Sequence, residues 1–335
     1  MSSAVADKRA SGEDSLIARY FKPIATDANA FGLVDDAAIL KALGQDIVVT
    51  TDAIVEGVHY LASDPPDTIA RKALRTNLSD LAAKGATPAG FVLTLALRTA
   101  DENWLEPFAR GLGEDARSFA CPLLGGDTVS TPGPVTISIT AFGRVREGKM
   151  VRRSGARPGD RVMVSGTIGD ATLGLDILKD GTIAKVLIGD ARGSEMLVAR
   201  YRVPQPRNVL ATAVRDHASA AMDVSDGLAG DLAKLCAASG VTAVVDTPSI
   251  PASATAASLL SRGVVGIETL IAGGDDYEIL CTVPEARADA FAEAARQAGV
   301  AVTDIGTIMA GEGLPRFLDG EGRELVLTRL SHSHF

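Results

Sequence analysis

The chain has 335 residues, of which 46% are hydrophobic and 22% charged, and its formal net charge is −9. This length predicts two domains, and the acidic balance argues against a nucleic-acid partner, whose surface needs clustered Lys and Arg. No apolar run approaches the length of a membrane span, so no membrane partner is expected. An acidic protein can still handle phosphates where metal ions lie between the two sets of negative charge.

Cysteine usage and the N-terminal segment both favour a cytoplasmic protein. Cys121, Cys236 and Cys281 show neither metal-ligand spacing nor a disulfide framework, which is typical of a reducing compartment. Residues 1–13 are polar and small, and they lack the apolar stretch of a secretory signal. We predict that this segment is disordered.

The first half of the chain predicts alternating helices and strands. Gly85, with Pro88 beyond it, predicts the end of a long helix at Lys84. Pro107 and Gly111 predict some distortion in the next helix. The predicted elements are a helix over 14–24, strands at 37–40 and 46–54, a helix from about 67 to 84, a strand over 90–98, a helix over 102–120, and strands within 121–127 and 135–145.

The second half repeats this mixture after a cluster of turn residues at 146–166. We place the domain boundary there, with an N-terminal domain over 14–152 and a C-terminal domain over 153–335. Such alternation predicts an α/β or α+β fold rather than a bundle or a sandwich. The predicted elements are helices over 170–179, 208–218, 228–239 and 284–298, a strand after the segment ARPGD, and strands over 220–224 and 241–246.

Common nucleotide and hydrolase signatures are missing from the chain. There is no G-x-x-x-x-G-K-[ST] phosphate loop, and the segments at 111–116 and 166–174 lack the glycine spacing of a dinucleotide fingerprint. No His–carboxylate or Cys–His arrangement suggests an activated nucleophile, so a hydrolytic triad is not expected.

Aspartates at the ends of apolar elements are the informative residues. Each has an ordinary structural interpretation: Asp36 and Asp127 can stabilise turns, Asp80 can pair with Lys84 one helical turn away on an exposed face, and Asp226 can cap a helix. The aspartates of this set are Asp35, Asp36, Asp52, Asp80, Asp127, Asp223 and Asp226.

Taken together, the aspartates predict a magnesium–phosphate site. Carboxylates that converge at strand ends repel one another unless cations lie between them, and Mg²⁺ prefers carboxylate, hydroxyl, water and phosphate oxygens. Thr50 and Thr51 offer further oxygens beside Asp52. The helix that starts after Gly227 would present N–H groups to an anion. This chemistry suits phosphoryl transfer.

At these residues the sequence resembles the thiamine-monophosphate kinase family, within the superfamily of aminoimidazole ribonucleotide synthetase, selenophosphate synthetase and a hydrogenase-maturation protein. The segments that carry the resemblance occur in order along the chain: DDAAIL, TTDAIVEGVHY, ALRTNLSDLAAKGATPAG, LLGGDT, RRSGARPGDRVMVSGTIGDATLGL, AMDVSDGLAGDL and GGDDYEIL.

The resemblance implies that ATP and thiamine monophosphate give ADP and thiamine diphosphate. It also implies a PurM-like two-domain fold. The sheet of its N-terminal α/β domain helps to form the interface of a homodimer, a C-terminal α/β domain follows, and the nucleotide binds between the two domains.

The resemblance also implies roles for individual residues. It makes Asp52, Asp80 and Asp127 the catalytic residues, acting through several Mg²⁺ ions. The implied metal ligands are Asp35, Thr50, Thr51, Asp52, Asp80, Asp127, Asp223 and Asp226. The implied ATP contacts are Gly126, Asp127, Arg153 and Ser225, and the implied substrate contacts are His59, Asp275 and His332.

Three departures from the family pattern concern the loop around Asp35 and the substrate contacts. Val34 precedes Asp35 where the family commonly has glycine, Asp275 stands where a Glu is expected, and His332 stands near the position of an aromatic residue.

The hypothesis for the mechanism is direct in-line transfer of the phosphoryl group, with a phospho-aspartate route as the alternative. Two other functions stay open: another ATP-dependent synthetase of the superfamily, and a non-catalytic ATP/Mg²⁺-binding regulator.

Overall fold

A computed structural model describes residues 16–33 and 40–331. The predictions for residues 1–13, for most of the strand at 37–40, for Asp35 and for His332 lie outside these residues. The chain forms two compact units that no single cut in the sequence separates. Unit 1 comprises the chain up to Leu43, Val49–Asn77 and Pro88–Phe142; unit 2 comprises Gly44–Val48, Leu78–Thr87 and Gly143–Phe335.

The sheet associated with unit 1 has the strand order β1-β4-β2-β3, so that β1 and β3 are its edges. Strands β2 and β3 pair in parallel. The helix Glu102–Ser118 runs uninterrupted, although Pro107 and Gly111 predict a distortion. The elements are β1 (Asp46–Val55), α1 (Pro66–Ala83), β2 (Thr87–Leu97), α2 (Glu102–Ser118), β3 (Leu123–Ser130) and β4 (Thr136–Val145), preceded by short helical turns at Ile17–Phe21, Lys22–Ile24 and Ala28–Leu33.

One face of this sheet is buried and the other is open. Along β4, residues alternate between buried and half-exposed positions, which is the pattern of a sheet covered on one side. Ile137 and Ile139 are completely buried. Val49 on β1 and Val129 on β3 are exposed apolar residues.

Gly85 closes the C-terminus of helix α1, which confirms the sequence prediction that the helix ends just before this glycine. The N–H of Ala86 donates to the carbonyl of Leu81 at 2.9 Å, and the N–H of Gly85 donates to that of Ala82 at 3.0 Å. Gly85 has φ +69°. This is a Schellman motif, in which a left-handed residue closes the helix, and glycine adopts that conformation at least cost. Lys84 is therefore held in the last turn.

The sheet associated with unit 2 has the strand order β10-β7-β9-β5-β8-β6. The predicted helices over 208–218 and 284–298 each begin with a 3₁₀ turn, at Asn208–Leu210 and Glu285–Arg287. The elements are β5 (Arg161–Ser165), α3 (Asp170–Leu178), α4 (Thr182–Val186), α5 (Ala191–Arg202), α6 (Ala211–His217), β6 (Ala220–Asp223), α7 (Leu228–Ser239), β7 (Thr242–Asp246), α8 (Ala254–Ser261), α9 (Ile267–Ile271), β8 (Ile279–Val283), α10 (Ala288–Gln297), β9 (Val302–Met309) and β10 (Arg316–Leu318).

At the edge strand β6 and its neighbour β8, this sheet is covered on both faces. Met222 of β6 packs into one apolar cluster, whereas its neighbour Ala221 packs into another. Every residue of β6 and β8 is buried. Polar groups at the end of β6 therefore lie in a region where they need hydrogen-bond partners. Among the described residues, no helix is long and apolar enough to cross a membrane.

A buried ion cluster joins α1 and α2 within unit 1. Asp115 of α2 is 1% exposed. Its carboxylate accepts hydrogen bonds from Nη1 of Arg71 at 2.7 Å and from Nη2 of Arg75 at 2.9 Å. Breaking a buried pair by removing one charge leaves the other charge uncompensated.

We expect Asp115→Asn to lower the free energy of unfolding by about 3–5 kcal/mol, because the Arg71 and Arg75 guanidinium groups would both lose an ion-pair partner in a buried position. Urea denaturation followed by circular dichroism measures this change. Glu293→Gln removes a carboxylate from an exposed pair with Arg296 and serves as the control. Equal midpoints for the two variants would contradict a structural role for Asp115.

Candidate active site

Two loops of unit 2 meet where strand β6 ends and strand β8 begins. The first, called the SDG loop, is Ser225–Gly227; the second, called the GGDDY loop, is Gly273–Tyr277. Asp223 is the last residue of β6 and lies opposite Ile279 of β8. The SDG loop follows this pair along the chain, and the GGDDY loop precedes it.

Backbone hydrogen bonds continue the β6–β8 ladder between the loops. The N–H of Val224 donates to the carbonyl of Glu278, and the N–H of Tyr277 donates to that of Val224, both at 2.8 Å. The N–H of Asp275 donates to the carbonyl of Ser225, also at 2.8 Å. The predicted ATP contact Ser225 and the predicted substrate contact Asp275 are therefore direct neighbours.

Glycines make this close approach possible. A Cβ atom on Gly274 would lie 2.5 Å from the carbonyl oxygen of Ser225, and one on Gly227 would lie 2.8 Å from that of Gly273. Gly227 also has φ +117°, a conformation that other residues rarely adopt. The glycines of both motifs are thus required by the packing of one loop on the other.

Side chains of the GGDDY loop alternate between outward and buried positions. Asp275 and Tyr277 are half-exposed and adopt positive φ values of 69° and 51°. Asp276 between them is 1% exposed, and its carboxylate accepts the N–H of Gly169 at 2.9 and 3.0 Å. Burial raises the pKa of Asp276 well above its usual value.

Glu278 anchors the end of this loop from inside. It is fully buried, and it accepts hydrogen bonds from Nη2 of Arg200 at 2.7 Å, Nε of Arg207 at 2.6 Å and Oγ of Ser165 at 2.6 Å. A buried carboxylate needs this degree of compensation. The alternation in DDYEIL could have revealed these inward acids, because every second residue of an extended segment faces the same side.

The SDG loop has its own buried anchor, which sequence reasoning missed. Asp231 of α7 is completely buried, and one oxygen accepts the N–H groups of Ser225 and Asp226 at 3.0 Å each. Its other oxygen accepts Nζ of Lys234 at 2.8 Å. Burial raises the pKa of Asp231, although Lys234 acts in the opposite direction. An acid within the apolar segment GLAGDLAKLC was the available signal.

These contacts refine two predictions for the SDG loop. The Asp226 carboxylate forms an ion pair with Lys234, and the N-cap of α7 is Gly227, so the capping interpretation of Asp226 is wrong. The N–H groups of Ser225 and Asp226 already donate to Asp231. An anion at this helix would thus use N–H groups from Gly227 onward.

The end of α1 contributes to the same region of unit 2. Ser79 donates its hydroxyl to the carbonyl of Tyr277 at 3.4 Å, and Nζ of Lys84 donates to the carbonyl of Ala221 at 2.7 Å. The negative charges of Asp80 and Asp223 both raise the pKa of Lys84. The exposed-face interpretation of Asp80 and Lys84 is wrong, because both side chains are partly buried.

The positive charge of Arg153 lowers the pKa of Lys84, because two like charges repel each other. The Arg153 residue is exposed, and its carbonyl accepts the hydroxyl of Ser239 at 3.1 Å. The structure thus brings Asp80, Asp223 and Arg153 into the electrostatic range of one ammonium group.

In unit 1, strand β1 does not present Thr50, Thr51 and Asp52 together. Successive strand residues point to opposite faces. Thr50 and Asp52 lie on the same face of the strand as the buried Val48 and Ile54, whereas Thr51 is exposed on the other face.

The hydroxyl of Thr51 is engaged with β4. It donates to the carbonyl of Ile139 at 3.2 Å and accepts the hydroxyl of Thr140 at 3.0 Å. The side chains of Thr50 and Thr51 thus lie on opposite faces of the sheet, and the metal-ligand roles of Thr50, Thr51 and Asp52 stay predictions.

Asp127 lies within β3 rather than after it. Its register partner is Thr94 of β2, and both residues are exposed. Because β1 and β3 are opposite edges of the sheet, Asp52 and Asp127 are separated by three strand spacings, roughly 14 Å. Within one chain, they cannot bind the same ion.

Gly126 and His59 have clear structural roles. A Cβ atom on Gly126 would lie 1.9 Å from the carbonyl oxygen of Leu93, so only glycine fits there. The Nδ1 atom of His59 accepts the N–H of Val55 at 3.1 Å, and its carbonyl accepts Nζ of Lys72 at 2.8 Å. The ligand roles of Gly126 and His59 stay predictions.

The acids of the site suit a metal that arrives with other ligands. Within residues 16–33 and 40–331, no three His, Cys, Asp or Glu side chains form a group that could hold a metal ion. Magnesium in nucleotide sites is often bound by one or two carboxylates together with waters and substrate phosphates. Asp80 and Asp223 fit such a donor set.

Comparison with known proteins places the whole chain in one family. The family model described as AIR synthase related protein, N-terminal domain, matches residues 34–145, and that of the C-terminal domain matches residues 157–318. A thiamine-monophosphate kinase of Caulobacter vibrioides is 46% identical over 324 residues, which cover 95% of this chain and 89% of the relative.

Solved structures agree with this comparison. A thiamine-monophosphate kinase from Stenotrophomonas maltophilia K279a has a TM-score of 0.80 and 36% identity, over 93% of this chain and 96% of that chain. AaThiL complexed with AMPPCP and TMP has a TM-score of 0.75 and 29% identity, over 90% of this chain and 96% of that chain.

We expect Asp231→Asn to loosen the SDG loop. An amide has one acceptor oxygen, so either the two N–H groups or the Lys234 ammonium would face an NH₂ group. Losing these bonds costs about 1–3 kcal/mol, so the exchange of the Ser225 and Asp226 amides should accelerate about tenfold or more.

Hydrogen–deuterium exchange of peptides that span residues 223–230 measures this effect. Asp190→Asn, at the N-cap of α5, is the control, because Asn caps a helix as well as Asp does. Unchanged exchange in Asp231→Asn would show that the buried carboxylate does not hold the loop.

Proposed function

The chain belongs to the AIR synthase related proteins and, within them, to the thiamine-monophosphate kinases, and we propose that it transfers the γ-phosphoryl group of ATP to thiamine monophosphate. The products are ADP and thiamine diphosphate. The observation that carries this proposal is the match to thiamine-monophosphate kinases over 95% of the chain. The complex of AaThiL with AMPPCP, an ATP analogue, and TMP supports both substrates.

The reaction requires positioning rather than a general base. A terminal phosphate oxygen of thiamine monophosphate is already ionised at neutral pH, so it can attack the γ-phosphorus of ATP directly. The bond between that phosphorus and the β,γ-bridging oxygen breaks, and ADP leaves. Catalysis then consists of in-line alignment and relief of charge repulsion. No covalent phospho-enzyme is needed.

We assign the carboxylates of the chain to the binding of Mg²⁺. Asp80 and Asp223 of unit 2 are the first candidates, because Lys84 lies one helical turn after Asp80 and its ammonium donates to Ala221 on the strand that ends at Asp223. Asp226 would have to share its carboxylate with Lys234. Asp35, Thr50, Thr51, Asp52 and Asp127 remain proposed ligands, with Asp52 and Asp127 on different ions in any one chain. Bound Mg²⁺ would neutralise phosphate charge as the transfer proceeds.

The proposed contacts with ATP and thiamine monophosphate include one residue from each of the two loops. Ser225 and Arg153 are proposed to contact ATP, together with Gly126 and Asp127. Asp275 is held outward at the tip of the GGDDY loop and is proposed to contact thiamine monophosphate. Substrate contacts by His59 and His332 stay predictions from the family pattern.

We also propose a homodimer in the cytoplasm. The open face of the first sheet exposes Val49 and Val129, which a second copy of the chain would cover. The three cysteines are buried and free of disulfides, as expected in a reducing compartment.

The decisive test measures ADP release by the purified protein with ATP and Mg²⁺, with and without thiamine monophosphate. We expect turnover only when thiamine monophosphate is present, thiamine diphosphate as the product, and complete loss of activity in EDTA. ADP release that ignores thiamine monophosphate would overturn the assigned acceptor. Binding of ATP without any turnover would favour a non-catalytic regulator.

We expect Asp80→Asn and Asp52→Asn each to lower kcat roughly 100-fold or more, because an amide neither balances a cation's charge nor binds it as tightly. Steady-state kinetics at saturating substrates measure kcat, and circular dichroism checks the fold. Asp289→Asn, on the exposed side of α10, is the matched control. Near-normal turnover in both test variants would contradict the metal-site assignment.

A further inference from the structure

Lys84 has a fixed position between helix α1 and strand β6. Its N–H donates to the carbonyl of Asp80 at 3.0 Å, and its own carbonyl accepts the N–H of Val151 at 3.2 Å. The ammonium group donates to the carbonyl of Ala221 at 2.7 Å. Both ends of the residue are therefore anchored within unit 2, and the ammonium cannot swing away into solvent without losing a hydrogen bond.

The anchoring carbonyl places this ammonium next to the acids of the site. Ala221 lies two residues before Asp223 on the same strand, and Asp80 precedes Lys84 by one turn of the same helix. Burial and the charge of Arg153 lower the pKa of Lys84, whereas Asp223 and Asp80 raise it. The hydrogen bond to Ala221 thus fixes the ammonium beside the strand that ends at Asp223.

A fixed positive charge has opposite effects on the two components of a metal–nucleotide complex. It repels a free divalent cation that approaches the same carboxylates, and it attracts the phosphates of a nucleotide. Half-burial strengthens both effects, because solvent screens a half-buried charge less than an exposed one. The ammonium also has further N–H donors besides the one given to Ala221.

We propose that Lys84 is a resident counter-ion of Asp80 and Asp223, which weakens their binding of free Mg²⁺ and favours metal that arrives together with nucleotide phosphates. This role rests on the proposed function, and it makes Lys84 a positioning and selectivity residue. The competing possibility is a purely mechanical one, in which Lys84 only ties α1 to β6.

Three substitutions separate charge from tethering. Lys84→Met keeps the length of the side chain and removes both the charge and the hydrogen bond. Lys84→Gln removes the charge and keeps an N–H donor, on a side chain that is one atom shorter than that of lysine. Lys84→Arg keeps the charge. Lys185→Met, at an exposed position of α4, is the matched control for net charge.

The first measurement is Mn²⁺ binding to nucleotide-free protein, followed by the electron paramagnetic resonance signal of free Mn²⁺. We expect Lys84→Met and Lys84→Gln to bind Mn²⁺ about tenfold more tightly, and Lys84→Arg and Lys185→Met to bind it as the native chain does. The second measurement is ATP binding in EDTA, which should weaken about threefold or more in the two uncharged variants.

Asp223→Asn identifies the affected site. In that background, Lys84→Gln should change Mn²⁺ affinity clearly less than it does in the native chain, because Lys84 and Asp223 act on the same ion and only Asp80 remains. If folded Lys84→Gln binds Mn²⁺ no more tightly than the native chain, the counter-ion role is wrong and the tether remains. This result is independent of the acceptor, since a native chain that forms no thiamine diphosphate would overturn only the proposed function.

Discussion

The ion cluster around Glu278 supports the loops of the candidate site. Its buried carboxylate is shared by two guanidinium groups and a hydroxyl, and its backbone carbonyl accepts the N–H of Val224. One residue thus fixes both the end of the GGDDY loop and the start of the SDG loop. Because the charges are buried, none can be removed without leaving the others uncompensated. The geometry of the site depends on this cluster more than on any accessible side chain.

The cluster also explains how Asp275 and Tyr277 keep positive φ angles. Such conformations cost of order 1–3 kcal/mol each for residues other than glycine, and they persist only where the surroundings enforce them. Asp276 and Glu278 alternate with the two strained residues and are tied down by hydrogen bonds. Buried acids hold the backbone, and the half-exposed Asp275 is presented outward. Asp231 provides the same support beneath the SDG loop.

Local patterns predicted most regular elements of the first half of the chain, but they missed several in unit 2, among them α5 and β9, and they could not give the pairing of distant strands. Gly85 correctly marked the end of α1, because a helix end is a local event. The aspartates looked alike in the sequence, yet the fold separates them. Asp52 and Asp127 lie on opposite edges of a sheet whose strand order no single segment encodes. The alternation of Thr50 and Thr51 was readable, since it needs only the period of a strand.

The remaining acids of unit 2 show why an acidic chain can accept a nucleotide. Asp80 and Asp223 act on the charge of Lys84, and Asp226 pairs with Lys234, so fixed cations of the folded chain offset part of the charge of these carboxylates. Such a site gains less from a metal ion alone, because the ion would meet ammonium groups as well as carboxylates. A metal paired with phosphates adds both signs of charge at once, so each component offsets the repulsion that the other meets. The net charge of −9 therefore describes the surface as a whole and is a poor guide to the charge that a ligand meets at these loops.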